Sequence, residues 1–148
     1  MQLSLHADYA LRVLIYAGSQ AGKNVTTTQI SDAYGISQNH LVRVVNTLGK
    51  AGYLKVTQGR FGGLCLAKDP AEIRLGQVVR AAEPSMKLVE CFDKETNTCP
   101  IIGVCSLKAH LRHALEAFLD DLDRHTLADL LANGGDRRLA NILVHIGA

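Results

Sequence analysis

Three cysteines fall close together in the second half of the chain, Cys91, Cys99 and Cys105, with seven and then five residues between them. Thiolates are soft ligands that suit iron–sulfur clusters and zinc. No two of them have the two-residue spacing of a zinc knuckle or a ferredoxin run, so a fourth ligand has to come from elsewhere. Gly103 lets the backbone turn tightly around an inorganic core, and Pro100 stiffens the approach to it. The neighbours Glu90, Asp93, Lys94 and Glu95 are not the apolar surroundings in which a cysteine is simply a small hydrophobe. The same thiols could also act as a redox switch, or hold zinc with His110 or His113. Cys65 differs: it lies between Leu64 and Leu66 in a strand-like run and is expected to pack into the sheet.

A second set of candidates is basic. Between Ala33 and Lys68 there is no acidic residue, whereas Arg43, Lys50, Lys55, Arg60 and Lys68 are all cationic. The acids collect elsewhere, at Glu116, Asp120, Asp121 and Asp123. The net charge of +2 is too small to prove a nucleic-acid partner, but a localised basic stretch on a balanced chain is the footprint of a polyanion.

The elements that must carry these residues follow from periodicity. Ala7, Ala10, Leu11, Leu14 and Ala17 form one apolar stripe, which predicts a helix from about His6 to Gln20. Ala21 to Asn24 breaks it. Thr26 with Gln29 reads as a capping box opening a second helix. Gly35 suits a left-handed helix end, Ile36 plugs the core, and Ser37 caps a third helix over Gln38 to Lys50. That helix turns Leu41, Val44, Val45 and Leu48 inward and Asn39, Arg43, Asn46 and Lys50 outward. A helix, a glycine turn and a polar-faced helix make a helix-turn-helix. Strand-like runs at residues 53–57 and 64–67 flank a loop, Gln58 to Gly63, with three glycines and Arg60 at its centre, which predicts a β-wing. On this reading Ser37, Gln38, Asn39, His40 and Arg43 stand at the base edges of a double-stranded operator. Lys50 and Lys55 meet phosphates, and Arg60 enters the minor groove.

The remainder holds a short helix over Ile73 to Ala82, the irregular cysteine stretch from Ser85 to Cys105, and a long helix from Ser106 to about Asp123. Leu107, Leu111, Ala114, Phe118 and Leu122, with Leu115 and Leu119 beside them, give that helix a broad apolar face suited to dimerisation. An apolar tail from Leu139 to Ile146 reads as a closing helix. The expected fold class is mainly α with a small β-hairpin: a winged helix-turn-helix over residues 1–82, then a cysteine loop and dimerisation helix over 83–148. At 47% hydrophobic residues the chain can build a core. It has neither a membrane-length apolar run nor a signal-like N-terminus, so a cytoplasmic protein is expected. No phosphate loop, nucleophile elbow or carboxylate pair marks an enzyme.

Several of these features together resemble the iron–sulfur winged-helix regulator family. They are the helix opening with Asp8-Tyr9-Ala10-Leu11-Arg12, the wing Gly59-Arg60-x-Gly62-Gly63, and the cysteine triplet followed by a long helix. The match spans nearly the whole chain. It implies a homodimeric repressor holding a 4Fe–4S cluster, with 2Fe–2S as the alternative, on Cys91, Cys99 and Cys105. The branch that controls cluster biogenesis places a histidine ligand three residues after the last cysteine, where this chain has Lys108. In the nitric-oxide-sensing branch an aspartate near the start of the first helix reaches across the dimer as fourth ligand. Asp8 matches that position, so the resemblance implies nitric oxide as the signal.

Overall fold

The computed structural model describes residues 2–20, 22–59, 62–133 and 141–143. Its first helix, α1, spans Leu5–Ser19, and the Ser4 hydroxyl caps it by accepting from the Ala7 N–H. The stripe of Ala7, Ala10, Val13, Leu14 and Ala17 is buried. Helix α2 (Thr27–Tyr34) opens on the expected capping box: Thr26 accepts from the Gln29 N–H while the Gln29 side chain accepts from the Thr26 N–H. It ends at Gly35, whose φ of 65° and ψ of 28° lie in the left-handed region, where glycine carries no Cβ penalty. Ile36 then enters the core at 4% exposure. Ser37 caps helix α3, Gln38–Lys50, with the bounds the sequence predicts.

Strands β1 (Leu54–Thr57) and β2 (Gly63–Leu66) pair antiparallel, Leu54 opposite Leu66 and Thr57 opposite Gly63. At the turn a Cβ on Gly62 would overlap the Thr57 carbonyl oxygen, so only glycine lets the backbone double back there. Leu64 also exchanges two backbone hydrogen bonds with Val25, of 2.9 and 2.8 Å. These fasten the wing to the segment entering α2. Side chains alternate across a strand, and the result corrects the expectation for Cys65. Leu64 is buried and Leu66 packs against the core, so Cys65 falls on the opposite face and stays half-exposed.

Helix α4 (Leu75–Ala82) buries Leu75, Val78, Val79 and Ala82 and packs on α1 and α3. Helix α5 (Leu107–Asp123) packs on α4 near its C-terminal end. Of its broad apolar face only Leu119 is buried, while Leu107 is 57% exposed. The chain then returns. His125 accepts from the Leu75 N–H, and the Leu127 N–H donates to Ile73. A helix the sequence reading did not anticipate, α6 (Leu127–Asn133), places Leu127 and Leu131 in the same core as α1, α2 and α3. Of the apolar tail, residues 141–143 are helical and Leu143 is buried; its other residues lie outside the described residues. Among the described residues no helix is long and apolar enough to cross a membrane.

Candidate nucleic-acid interface and cysteine loop

Helix α3 sorts its residues by period. Leu41, Val44, Val45 and Leu48 are buried, and Asn39, Arg43, Asn46 and Lys50 stand on the outer face, all exposed. Ser37, Gln38 and His40 are exposed as well, but each has a partner. Ser37 caps the helix, the Gln38 amide donates to Thr28 Oγ1 at 3.0 Å, and the His40 ring lies 6.0 Å from that of Tyr9. Val42, which the sequence reading left aside, is 49% exposed between these polar residues. An apolar side chain there suits a thymine methyl. Lys55 is exposed on β1. Arg60 lies outside the described residues.

The start of α1 grips this helix from behind. His6 Nε2 is 3.0 Å from Thr47 Oγ1, and Tyr9 meets His40. A cavity of about 190 Å³ lies between them, lined by Leu5, His6, Tyr9, His40, Arg43 and Val44. Asp8 sits between the two gripping residues and pairs with Arg12 at 2.9 Å. Arg12 in turn lies over the Tyr34 ring, 5.9 Å from its centre. Burial pushes the Tyr34 phenol up to about 12, a rise that Arg12 opposes and Tyr16 adds to. Apart from the Asp8–Arg12 pair, one turn apart on α1, these contacts were not legible in the sequence, because each joins residues on different elements.

The cysteine loop is tied by its acids. Glu90 Oε1 accepts from both the N–H and the hydroxyl of Thr98, and these bonds hold its carboxyl below the usual range. Lys87 donates to Asp93, whose Oδ1 accepts from the Glu95 N–H. Together with Thr96, these partners lower Asp93 to about 2. The Glu90–Thr98 tie closes a loop with Cys91 just inside one end and Cys99 just beyond the other. Arg112 of α5 lies over the Phe92 ring at 5.7 Å, which seats the loop against that helix. Cys105 stands two residues before the first residue of α5.

All three thiols are free and half-exposed. They are not gathered: among the described residues no group of three or more Cys, His, Asp or Glu side chains is spaced to hold a metal ion. The donor set nevertheless fits an iron–sulfur cluster in kind, being three soft, unpaired sulfurs on one loop tied largely through surface side chains. Bringing them together is work that metal binding itself does when it is coupled to folding. Asp8 makes its only ion pair among the described residues with Arg12 of its own helix.

A helix-turn-helix with a polar, basic outer face, followed at once by a β-wing, defines a DNA-binding transcriptional regulator of the winged-helix class. The chain belongs to the Rrf2 family, described as iron-dependent transcriptional regulators, which matches residues 3–133. The HTH-type transcriptional regulator NsrR of Shouchella clausii (strain KSM-K16) is 45% identical over 139 residues, 93% of each chain. Among solved structures, CymR (YrzC), the global cysteine regulator of B. subtilis, matches with a TM-score of 0.71 at 24% identity. That match covers 90% of this chain and 98% of CymR. IscR of T. potens gives 0.71 at 24%, over 93% and 91%. At that identity the two structures establish the fold. The relatives are regulators, not enzymes.

Proposed function

We propose that the chain is a homodimeric repressor whose hold on its operator is set by an iron–sulfur cluster responding to nitric oxide. The observation that carries this reading is the grip of α1 on the recognition helix on both sides of Asp8, through His6–Thr47 and Tyr9–His40. Cys91, Cys99 and Cys105 of one copy and Asp8 of the other would hold the group, 4Fe–4S or, alternatively, 2Fe–2S. When bound, it supplies iron that nitric oxide can attack, the carboxylate being a harder and weaker ligand than a thiolate.

The chain's own residues supply the response. Asp8 is paired with Arg12, so drawing it toward a second copy breaks that pair and moves the opening turn of α1. His6 and Tyr9 carry the movement to Thr47 and His40, which tilts the reading face of α3. This is a two-state element biased by ligand chemistry. On DNA, Ser37, Gln38, Asn39, His40 and Arg43 are assigned to base edges, Lys50 and Lys55 to phosphates, and Arg60 to the minor groove. Residues 1–82 act as reader and 83–148 as sensor and dimer contact.

The test is anaerobic purification followed by nitric oxide titration, with absorption and operator binding recorded together. A brown protein that bleaches and releases its operator over the same titration supports the reading. That no ligand group among the described residues is spaced to hold a metal ion favours the thiol-oxidation form of one rival, a regulator working through thiol oxidation or zinc. Colourless protein containing zinc, or release driven by peroxide alone, would establish that rival instead.

A further inference from the structure

Among the described part of residues 1–82, the large hydrophobic side chains left exposed are Leu5, Val42 and Val56. Leu5 lines the cavity behind α3, and Val56 lines the groove between the wing and the start of α2. Val42, 49% exposed, stands instead on the outer face of α3. Neither the helix nor the core accounts for a valine there. A β-branched side chain loses rotamer freedom in a helix, so alanine or a long polar residue would suit an exposed helical position better. The core side of the same helix is already taken by Leu41, Val44, Val45 and Leu48.

Its neighbours narrow what it could touch. Helical period sets the exposed amides Asn39 and Asn46 beside it, three residues before and four after. Gln38 lies one turn earlier on the same flank, with its amide held by Thr28 at 3.0 Å. His40 and Arg43 line the cavity on the other flank, toward α1. An apolar side chain among amides matches one base pair in particular. In the major groove an A·T pair offers the N6 and N7 edge of adenine, which an amide reads, and the 5-methyl of thymine, which an apolar group complements. Cytosine lacks that methyl and presents an amino donor, which a valine cannot satisfy.

We propose that Val42 selects thymine at one position of each operator half-site by covering its 5-methyl group. The contact takes apolar surface on both partners out of water and needs no hydrogen bond. It gives the exposed valine a use that neither the fold of α3 nor its polar neighbours supply. This inference rests on the base-edge assignment of α3 above and adds one specified base to it. It depends on neither the cluster nor its signal, since it concerns two duplexes compared on the same protein.

The test replaces thymine by deoxyuridine, one position at a time, in a duplex that the full-length chain recovers from a randomised pool. Uracil keeps the adenine partner and every hydrogen-bonding group and loses only the methyl. Fluorescence anisotropy should find one thymine per half-site whose replacement weakens binding about fourfold, the worth of one buried methyl group. Val42→Ser should bind the two duplexes equally at that position, whereas Val42→Ile should keep the preference. If Val42→Ser still separates thymine from uracil as the parent does, another residue reads the methyl and the inference is overturned. A parent that prefers the recovered duplex but tolerates uracil at every position would overturn it as well. A parent that recovers no preferred duplex would instead overturn the base-edge assignment itself.

Discussion

Lys50 and Arg43 share the outer face of α3, yet on the proposed reading they answer to different parts of a duplex. Lys50 lies in the last turn, where a cation also suits the helix dipole. Lys50→Ala should weaken binding to every sequence and lower the salt slope by about one. Arg43, about two turns further in, should behave otherwise: Arg43→Ala should cost about 1–3 kcal/mol at one base pair and relax the preference there. Gel shifts on an operator series at several salt concentrations separate the two outcomes. Tyr34 offers a pH test. Its phenol is raised from 10 to about 12 by burial, so the folded state holds its proton more tightly than the unfolded state does. The stability this contributes is complete below pH 10 and is lost as pH rises to about 12, following the linkage of protons to folding. Alkaline titration of tyrosinate absorbance should lose a late-ionising phenol in Tyr34→Phe, while Tyr16 and Tyr53, also raised by burial, are kept. At this scale the sequence exposed the outer face of α3 because helical period alone sorts it. It did not expose the His6–Thr47 grip, which joins residues 41 apart. For Cys65 the strand run was read correctly and the face wrongly, because Leu64 claims the core side.

The elements themselves were mostly written in local chemistry. Thr26 with Gln29, Gly35 and Ser37 bracket α2 and α3 where caps and left-handed turns require those residue types. Thr26→Ala should therefore cost about 1 kcal/mol, and Gly35→Ala, which puts a Cβ into the left-handed region, roughly 1–2 kcal/mol. Urea melts would check both, and the loss should come without any change in which operator is preferred. Helix α6 was missed although its start carries the same kind of signal. Thr126 accepts from the Asp129 N–H, and Asp129 accepts from Thr126. The run that follows is only seven residues long, too short for periodicity to stand out, and its place in the core depends on a contact with α1 that no local pattern announces. The breadth of the apolar face on α5 was legible. That most of it would stay uncovered within one chain was not, because sequence pattern does not distinguish intramolecular burial from burial by a partner.

At the scale of the whole molecule, two routes would join the proposed reader and the proposed sensor. One is the opening of α1, bracketing Asp8. The other is the seam between α4 and the end of α5, where Arg74 donates to the Asp123 carbonyl at 2.7 Å and Arg80 meets the Asp123 carboxylate. The cysteine triplet was visible as a set because its members are neighbours in sequence, whereas the relation to Asp8 proposed above concerns two copies and has no signature in one. The return of the chain after α5 has its own consequence. Leu127 and Leu131, 1% and 7% exposed, complete the core around α1. A fragment ending at residue 82 should therefore melt well below the full chain and bind operator poorly, and circular dichroism of the two would check this. On a ribosome the reader would then remain unfinished until the sensor loop has been synthesised, so a nascent chain would gain its grip on DNA only with the means of releasing it already attached.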